Sequence, residues 1–256
     1  MKLLLVTLVL ALSVEAILGS HYEAKAKLWK HLFDDYHKEF EPEDAKIGFG
    51  MGIQCAMYDR RTHVVSTYVW ERYSWVDKRL TWAPADYDNV QSLRVSPDHL
   101  WMPDFKLYHG HDEKEMTKTV LNHDGSIIWI PPAMYKSLCE KGANDTLHCH
   151  YKIGSWTVDD DTVGLEKWGA GASLDYYQNT TCPLVPSLGH VEVIRRTYPC
   201  CHNIPYAAME IAVDYVYHDD HDDDHHHHHH HHDHDHDHDH HAAVAKPAHD
   251  DHEDEC

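Results

Sequence analysis

Beyond its first sixteen residues the chain has no apolar run approaching the roughly eighteen that a membrane helix needs, so membrane insertion is not expected. Basic residues are scarce: 22 Lys and Arg stand against 43 Asp and Glu, for a formal charge of −21. Such a chain has little electrostatic attraction for a polyanion, which sets nucleic acid aside as a partner. The sequence also lacks a nucleophile–base constellation, a phosphate-cradling loop and a regularly spaced metal triad. Enzymatic chemistry is therefore not expected, and no cofactor is required.

At the N-terminus, "MKLLLVTLVLALSVEA" has a lysine, a short apolar core and small residues at Val14 and Ala16, the anatomy of a secretory signal. Residues 1–16 are assigned to it, with cleavage as late as Ser20 as the alternative. A secreted, extracellular protein in an oxidising compartment is the expectation. Two sequons, at Asn144 and Asn179, fit that setting.

The acidity is concentrated at the other end. Residues 218–256 hold fourteen acids, one lysine and 17 of the 29 histidines, with no apolar periodicity, so a disordered tail is expected. Its run His225, His226, His227, His228, His229, His230, His231 and His232 offers imidazoles to Zn²⁺, Cu²⁺ or Ni²⁺. A metal-sequestering protein working through this tail is one functional alternative.

Between these ends, residues 21–217 are long enough for one well-buried domain. "EAKAKLWKHLFDDYHKEF" spaces Leu28, Leu32, Phe33, Tyr36 and Phe40 for a helix over Glu23–Phe40, ended at Glu41-Pro42. After it, β-rich runs recur: "HVVSTYVWERYSWV", "FKLYHG", "TKTVLN", "SIIWI", "CHYKIGSW", "HVEVIRRTY" and "YAAMEIAVDYVY". Asp124-Gly125 marks a hairpin. The pattern predicts a mainly β chain, an N-terminal helix followed by a β-sandwich.

Seven cysteines include the adjacent pair Cys200 and Cys201, in "YPCCHNIPY". Neighbouring Cα atoms lie about 3.8 Å apart, closer than the usual disulfide span of roughly 4.4–6.8 Å. The pair is open to three readings on its own: a strained mutual bridge, bonds to distant partners such as Cys55 and Cys182, or a metal site with His202.

Five segments in order carry a family resemblance: "WVDKRLTW", "LWMPDFKLY", "IIWIPPAMYKSLC", "KIGSWT" and "YPCCHNIPY". Together they resemble the extracellular ligand-binding domain of the Cys-loop (pentameric) ligand-gated ion channels, most of all nicotinic acetylcholine receptors and soluble acetylcholine-binding proteins. The resemblance implies a ten-stranded sandwich in a ring-shaped homopentamer, with a small-molecule site at each subunit interface. On the principal face it implies Tyr108, Trp156, Tyr198 and Tyr206, with Cys200 and Cys201 bonded to each other. On the complementary face it implies Trp75, Ile128 and Ile130. A bridge from Cys139 to Cys149 is implied too, around nine residues, fewer than is usual in that family. The ligand expected is a choline-like cation, an amine or an amphiphile, because aromatic faces attract a cation that cannot donate a hydrogen bond. Lys152 matches a lysine that couples the cysteine loop to the sheet, while its usual acidic partner is replaced by Ala208. A channel subunit lacking its membrane part is the remaining alternative.

Overall fold

The computed structural model describes residues 21–201 and 204–217, apart from the Cys200 side chain. Residues 1–20, which hold the expected signal segment, and residues 218–256, which hold the expected tail with His225–His232 and Cys256, lie outside the described residues.

Residues 21–33 form helix α1, and its Leu28 and Leu32 are buried in the core. The helix was expected to reach Phe40; it ends seven residues earlier, well before Pro42. Tertiary bonds explain the early stop. Tyr36 leaves the helical path to donate to Asp77 Oδ2 at 2.9 Å and to accept from the Trp101 amide at 3.0 Å. Arg79 then donates to the carbonyls of His37 and Phe40, at 3.2 and 3.0 Å, and Phe40 itself is exposed.

Thirteen strand segments follow among the described residues, against ten expected. They are β1 (Lys46–Asp59), β2 (Val64–Val76), β3 (Ser92–Val95), β4 (Phe105–Leu107), β5 (His111–Lys114), β6 (Thr119–Asn122) and β7 (Ser126–Trp129). The rest are β8 (Pro132–Leu138), β9 (Glu140–Lys141), β10 (Leu147–Ser155), β11 (Gly164–Ser173), β12 (Leu184–Thr197) and β13 (Pro205–Tyr217). Several are pieces of two to four residues, which raises the count without changing the architecture.

Two sheets make a sandwich. An eight-stranded sheet runs β11-β1-β2-β7-β6-β3, with β8 paired to β2 and β5. A five-stranded sheet runs β12-β13-β10-β4, with β9 on β10. The β6–β7 hairpin turns at Asp124-Gly125 as expected, with Gly125 at φ +80° and Ser126 N donating to Asp124 Oδ1 at 3.0 Å. Strand β1 was not foreseen because Gly48, Gly50 and Gly52 interrupt its pattern. At Gly50 a side chain would begin 3.0 Å from the Gly171 carbonyl oxygen, so the absence of one permits the close approach of β11.

The four bulkiest of the fully buried side chains are tyrosines, Tyr73, Tyr135, Tyr151 and Tyr215. Each hydroxyl needs a partner away from water. Tyr151 pairs with Thr67 Oγ1 at 2.7 Å. Tyr135 and Tyr73 donate to the buried Glu71 carboxylate at 2.5 and 2.9 Å, and the Lys114 ammonium lies 2.9 Å from the same group. Trp82 and Trp101 are core residues as well.

Among the described residues two disulfides are formed. Cys139–Cys149 closes the loop between β8 and β10, as the resemblance implied. Cys55–Cys182 ties β1 to the segment before β12 across a sequence separation of 127, which removes both cysteines as partners for Cys200 and Cys201. Asn144 and Asn179 both sit on exposed turns.

Candidate functional site

The five-stranded sheet brings the expected principal-face aromatics together. Ile153 of β10 pairs with Leu107 of β4, both facing the core. One residue along, Lys152 and Tyr108 therefore face outward side by side, joined by the Tyr108 amide to the Lys152 carbonyl at 2.8 Å. Tyr108 donates its hydroxyl proton to the Ser155 carbonyl at 2.6 Å. Burial, reinforced by neighbouring Tyr198 and Asp104, pushes Tyr108 up to about 12, so it remains a neutral donor across the physiological range.

Trp156 follows directly at the end of β10. Its ring meets Tyr108 edge-on, with centroids 5.7 Å apart at 83°, and the side chain is 63% exposed. Asp104 holds the turn that carries it. The carboxylate accepts from Ser155 Oγ at 2.7 Å, from the Trp156 amide at 3.3 Å and from the Thr157 amide at 2.7 Å, with the Thr157 hydroxyl as a further donor. Burial would raise the Asp104 pKa, but these bonds from Ser155, Thr157 and Trp156 outweigh it and hold the group below the ordinary carboxylate value. Asp104 lies in the quoted "LWMPDFKLY", yet its spacing to Trp156 gave no local signal of the contact.

The loop that carries the adjacent cysteines joins β12 to β13. Tyr206 sits opposite Arg196 at its base, and the Tyr198 and Tyr206 rings lie 6.1 Å apart at 65°. Pro199–Cys201 form a single 3-10 turn between them, with the Cys201 amide bonded to the Tyr198 carbonyl at 3.0 Å. The bond implied between Cys200 and Cys201 involves a side chain outside the described residues. Arg195 pairs with Asp160 at 2.5 Å and ties the base of this loop to the one after Trp156.

Lys152 connects the loops. Its ammonium donates to the Tyr198 hydroxyl at 3.1 Å, and lies 5.0 Å from the Tyr108 ring centroid and 5.7 Å from that of Tyr198. Ala208 is buried and directly opposite Gly154, so the lysine's bond goes to a phenol rather than to a carboxylate at that position.

On the other sheet one assignment must be corrected. Trp75 is only 2% exposed and packs edge-on against Trp101 in the core, at 6.3 Å. It is not available to a second chain. Strand parity explains why: on β2 the odd-numbered residues point inward, and Trp75 is one of them. Two aromatics of β2 face outward, Tyr68 and Trp70, 39% and 40% exposed, and the Trp70 ring lies 5.1 Å from that of Tyr176. Ile128 and Ile130 do face outward. Ile128 pairs with Ser74, and Trp70 pairs with Pro132 in the same register, so all three share one face of the sheet. The alternation "YVWERYSW" was the available signal for Trp70.

A family model for the neurotransmitter-gated ion-channel ligand binding domain matches residues 25–213. Among curated relatives, neuronal acetylcholine receptor subunit alpha-2 of Homo sapiens is 34% identical over 201 residues, covering 73% of this chain and 38% of its own length. Subunit alpha-5 of Gallus gallus is 35% identical over 194 residues, covering 70% of this chain and 42% of its own. The chain thus spans about two fifths of the curated relatives it matches. Among solved structures, Capitella teleta AChBP in complex with lobeline aligns with a TM-score of 0.68 at 25% identity, covering 77% of this chain and 99% of that one. Among the described residues no helix is long and apolar enough to cross a membrane.

Proposed function

This chain belongs to the family of neurotransmitter-gated ion-channel ligand-binding domains, and we propose that it is a secreted, soluble ligand-binding protein of the acetylcholine-binding type. It captures a small cationic or amphipathic ligand in an aromatic cage between neighbouring protomers. It performs no covalent chemistry and requires no cofactor.

The observation that carries this reading is Trp156. A tryptophan 63% exposed in one protomer, with Tyr108 at its edge and Tyr198 and Tyr206 on the adjoining loop, is half of a binding site. Exposed aromatic surface of this kind marks a ligand or partner contact. Trp70, Ile128 and Ile130 on the outward face of the eight-stranded sheet supply the other half from a second copy. Because one chain carries both faces, head-to-tail association closes a homopentameric ring with equivalent sites. Exposed Asn144 and Asn179 carry the glycans of a secreted chain.

The cage selects by charge distribution. Aromatic faces carry a negative quadrupole, and each contact with an ammonium contributes about 0.5–2 kcal/mol without burying a counter-ion. Lys152 already lies near two of the rings, so an incoming cation is favoured where Trp156 is open and disfavoured close to Lys152.

A thermal-shift screen of choline esters, biogenic amines, amino acids and amphiphiles tests this reading. Cationic or amphipathic compounds raise the unfolding temperature in proportion to occupancy. A screen in which no compound of these classes stabilises the protein contradicts it.

A further inference from the structure

Strands β10, β12 and β13 carry a second group of polar side chains on their outward face. The register of β12 shifts between Leu188 and Val191, so Gly189 and His190 together oppose Ala212 of β13. Such a bulge re-aims the side chains beyond it. Before it, Val185 and Ser187 face solvent; after it, Glu192 does, while Val191 and Val193 are half-buried. His190 thereby joins the same face as Glu192.

Glu192 in turn lies directly opposite Glu210. Like charges facing each other across a ladder repel, and the available compensation is weak. Arg196 approaches Glu210 only to 3.8 Å, and Lys152, opposite Glu210 on the other side, directs its ammonium to Tyr198. A cation between the two carboxylates would relieve the repulsion, and imidazoles are at hand. His190 Nε2 is 4.0 Å from Glu192 Oε1, and one ligand atom from each of His190, Glu192 and Glu210 lies within 4.8 Å of the others. His150 of β10 also opposes Ala212, whose methyl leaves space for the His150 and His190 rings to approach to 6.5 Å.

We propose that His190, Glu192 and Glu210, with His150 as fourth ligand, form a surface site for a divalent transition ion of the zinc class. Neutral imidazoles with carboxylates suit zinc, copper and nickel. Tetrahedral bonds of about 2.0–2.2 Å bring ligand atoms to roughly 3.4 Å from each other, and side-chain rotation of these solvent-facing residues closes the remaining distance. The site uses none of the histidines of the run at residues 225–232 and gives the fold itself a metal-dependent stability.

Thermal unfolding of the full chain with increasing zinc chloride tests the proposal against the tail. Tail histidines are contiguous in sequence, so they keep their ligands near one another whether or not the sandwich is folded. Binding that is equal in both states does not shift the transition. The expected result is a zinc-dependent rise in unfolding temperature that His190→Ala and Glu210→Gln largely abolish. Without metal, Glu210→Gln leaves the unfolding temperature unchanged or raised, since it removes the repulsion with Glu192. Calcium, which prefers oxygen ligands, produces a much smaller rise. A zinc-induced rise of equal size in the wild type and both variants, no rise in the wild type, or an equal rise with calcium overturns the proposal.

Discussion

The Lys152 ammonium donates to the Tyr198 hydroxyl at 3.1 Å, joining the strand that leads into Trp156 to the loop that carries the adjacent cysteines. Removing either partner should loosen that loop and quicken ligand release. A double-mutant cycle of Lys152→Gln and Tyr198→Phe should show coupling of about 1 kcal/mol, most of it in the dissociation rate of a cationic ligand. Strict additivity in stopped-flow dissociation would show that the bond does not restrain the loop.

The two tryptophans of β2 should separate stability from binding. Trp75→Ala empties a core position and should cost about 3–5 kcal/mol in urea unfolding. Trp70→Ala, at an outward position, should cost less than about 1 kcal/mol in the same assay while weakening ligand binding. The reverse pattern would return the complementary face to Trp75.

Asp104 should act as a positioning residue for Trp156. Asp104→Ala leaves the Ser155 and Thr157 donors without their acceptor and should cost about 1–3 kcal/mol. Its lowered pKa has a definite sign: the stabilisation is present above the ordinary carboxylate value of about 3.9 and is lost as pH falls through the lower folded value. Denaturation profiles below that ordinary carboxylate value should therefore decline less steeply in the variant than in the wild type. Parallel acid limbs would refute the assignment.

Alkaline behaviour follows from the tyrosine core. Burial, with Glu71 nearby, raises Tyr73 and Tyr135 well above the ordinary value, and burial likewise raises Tyr215 and Tyr151. A raised folded pKa contributes stability that is complete below the unfolded value of about 10 and is lost as pH rises beyond it. Tyrosinate absorbance from these residues should appear together with unfolding. Free titration of all tyrosines in the native state would contradict this.

Much of the architecture was legible in the sequence because short-range pattern and burial agree there. The alternation of "SIIWI" around Asp124-Gly125 foretold a hairpin; Tyr108 and Trp156, whose rings meet, were named by family resemblance and not by any local pattern. What escaped depends on contacts between distant segments. The helix ends at residue 33 because Tyr36 bonds to Asp77 and Trp101, partners that no local pattern announces. Strand β1 hides behind glycines that serve its parallel neighbour. Trp75 was misplaced because motif likeness was followed over strand parity, which puts Trp70 outward five residues earlier.

Calorimetric titration of a choline ester into the wild type and Trp156→Ala tests the aromatic cage most directly. The account predicts micromolar binding to the wild type and a loss of at least about tenfold, or ~1.4 kcal/mol, in the variant, with its fold intact by circular dichroism. Equal affinity in the two proteins, or no binding to the wild type, would contradict it.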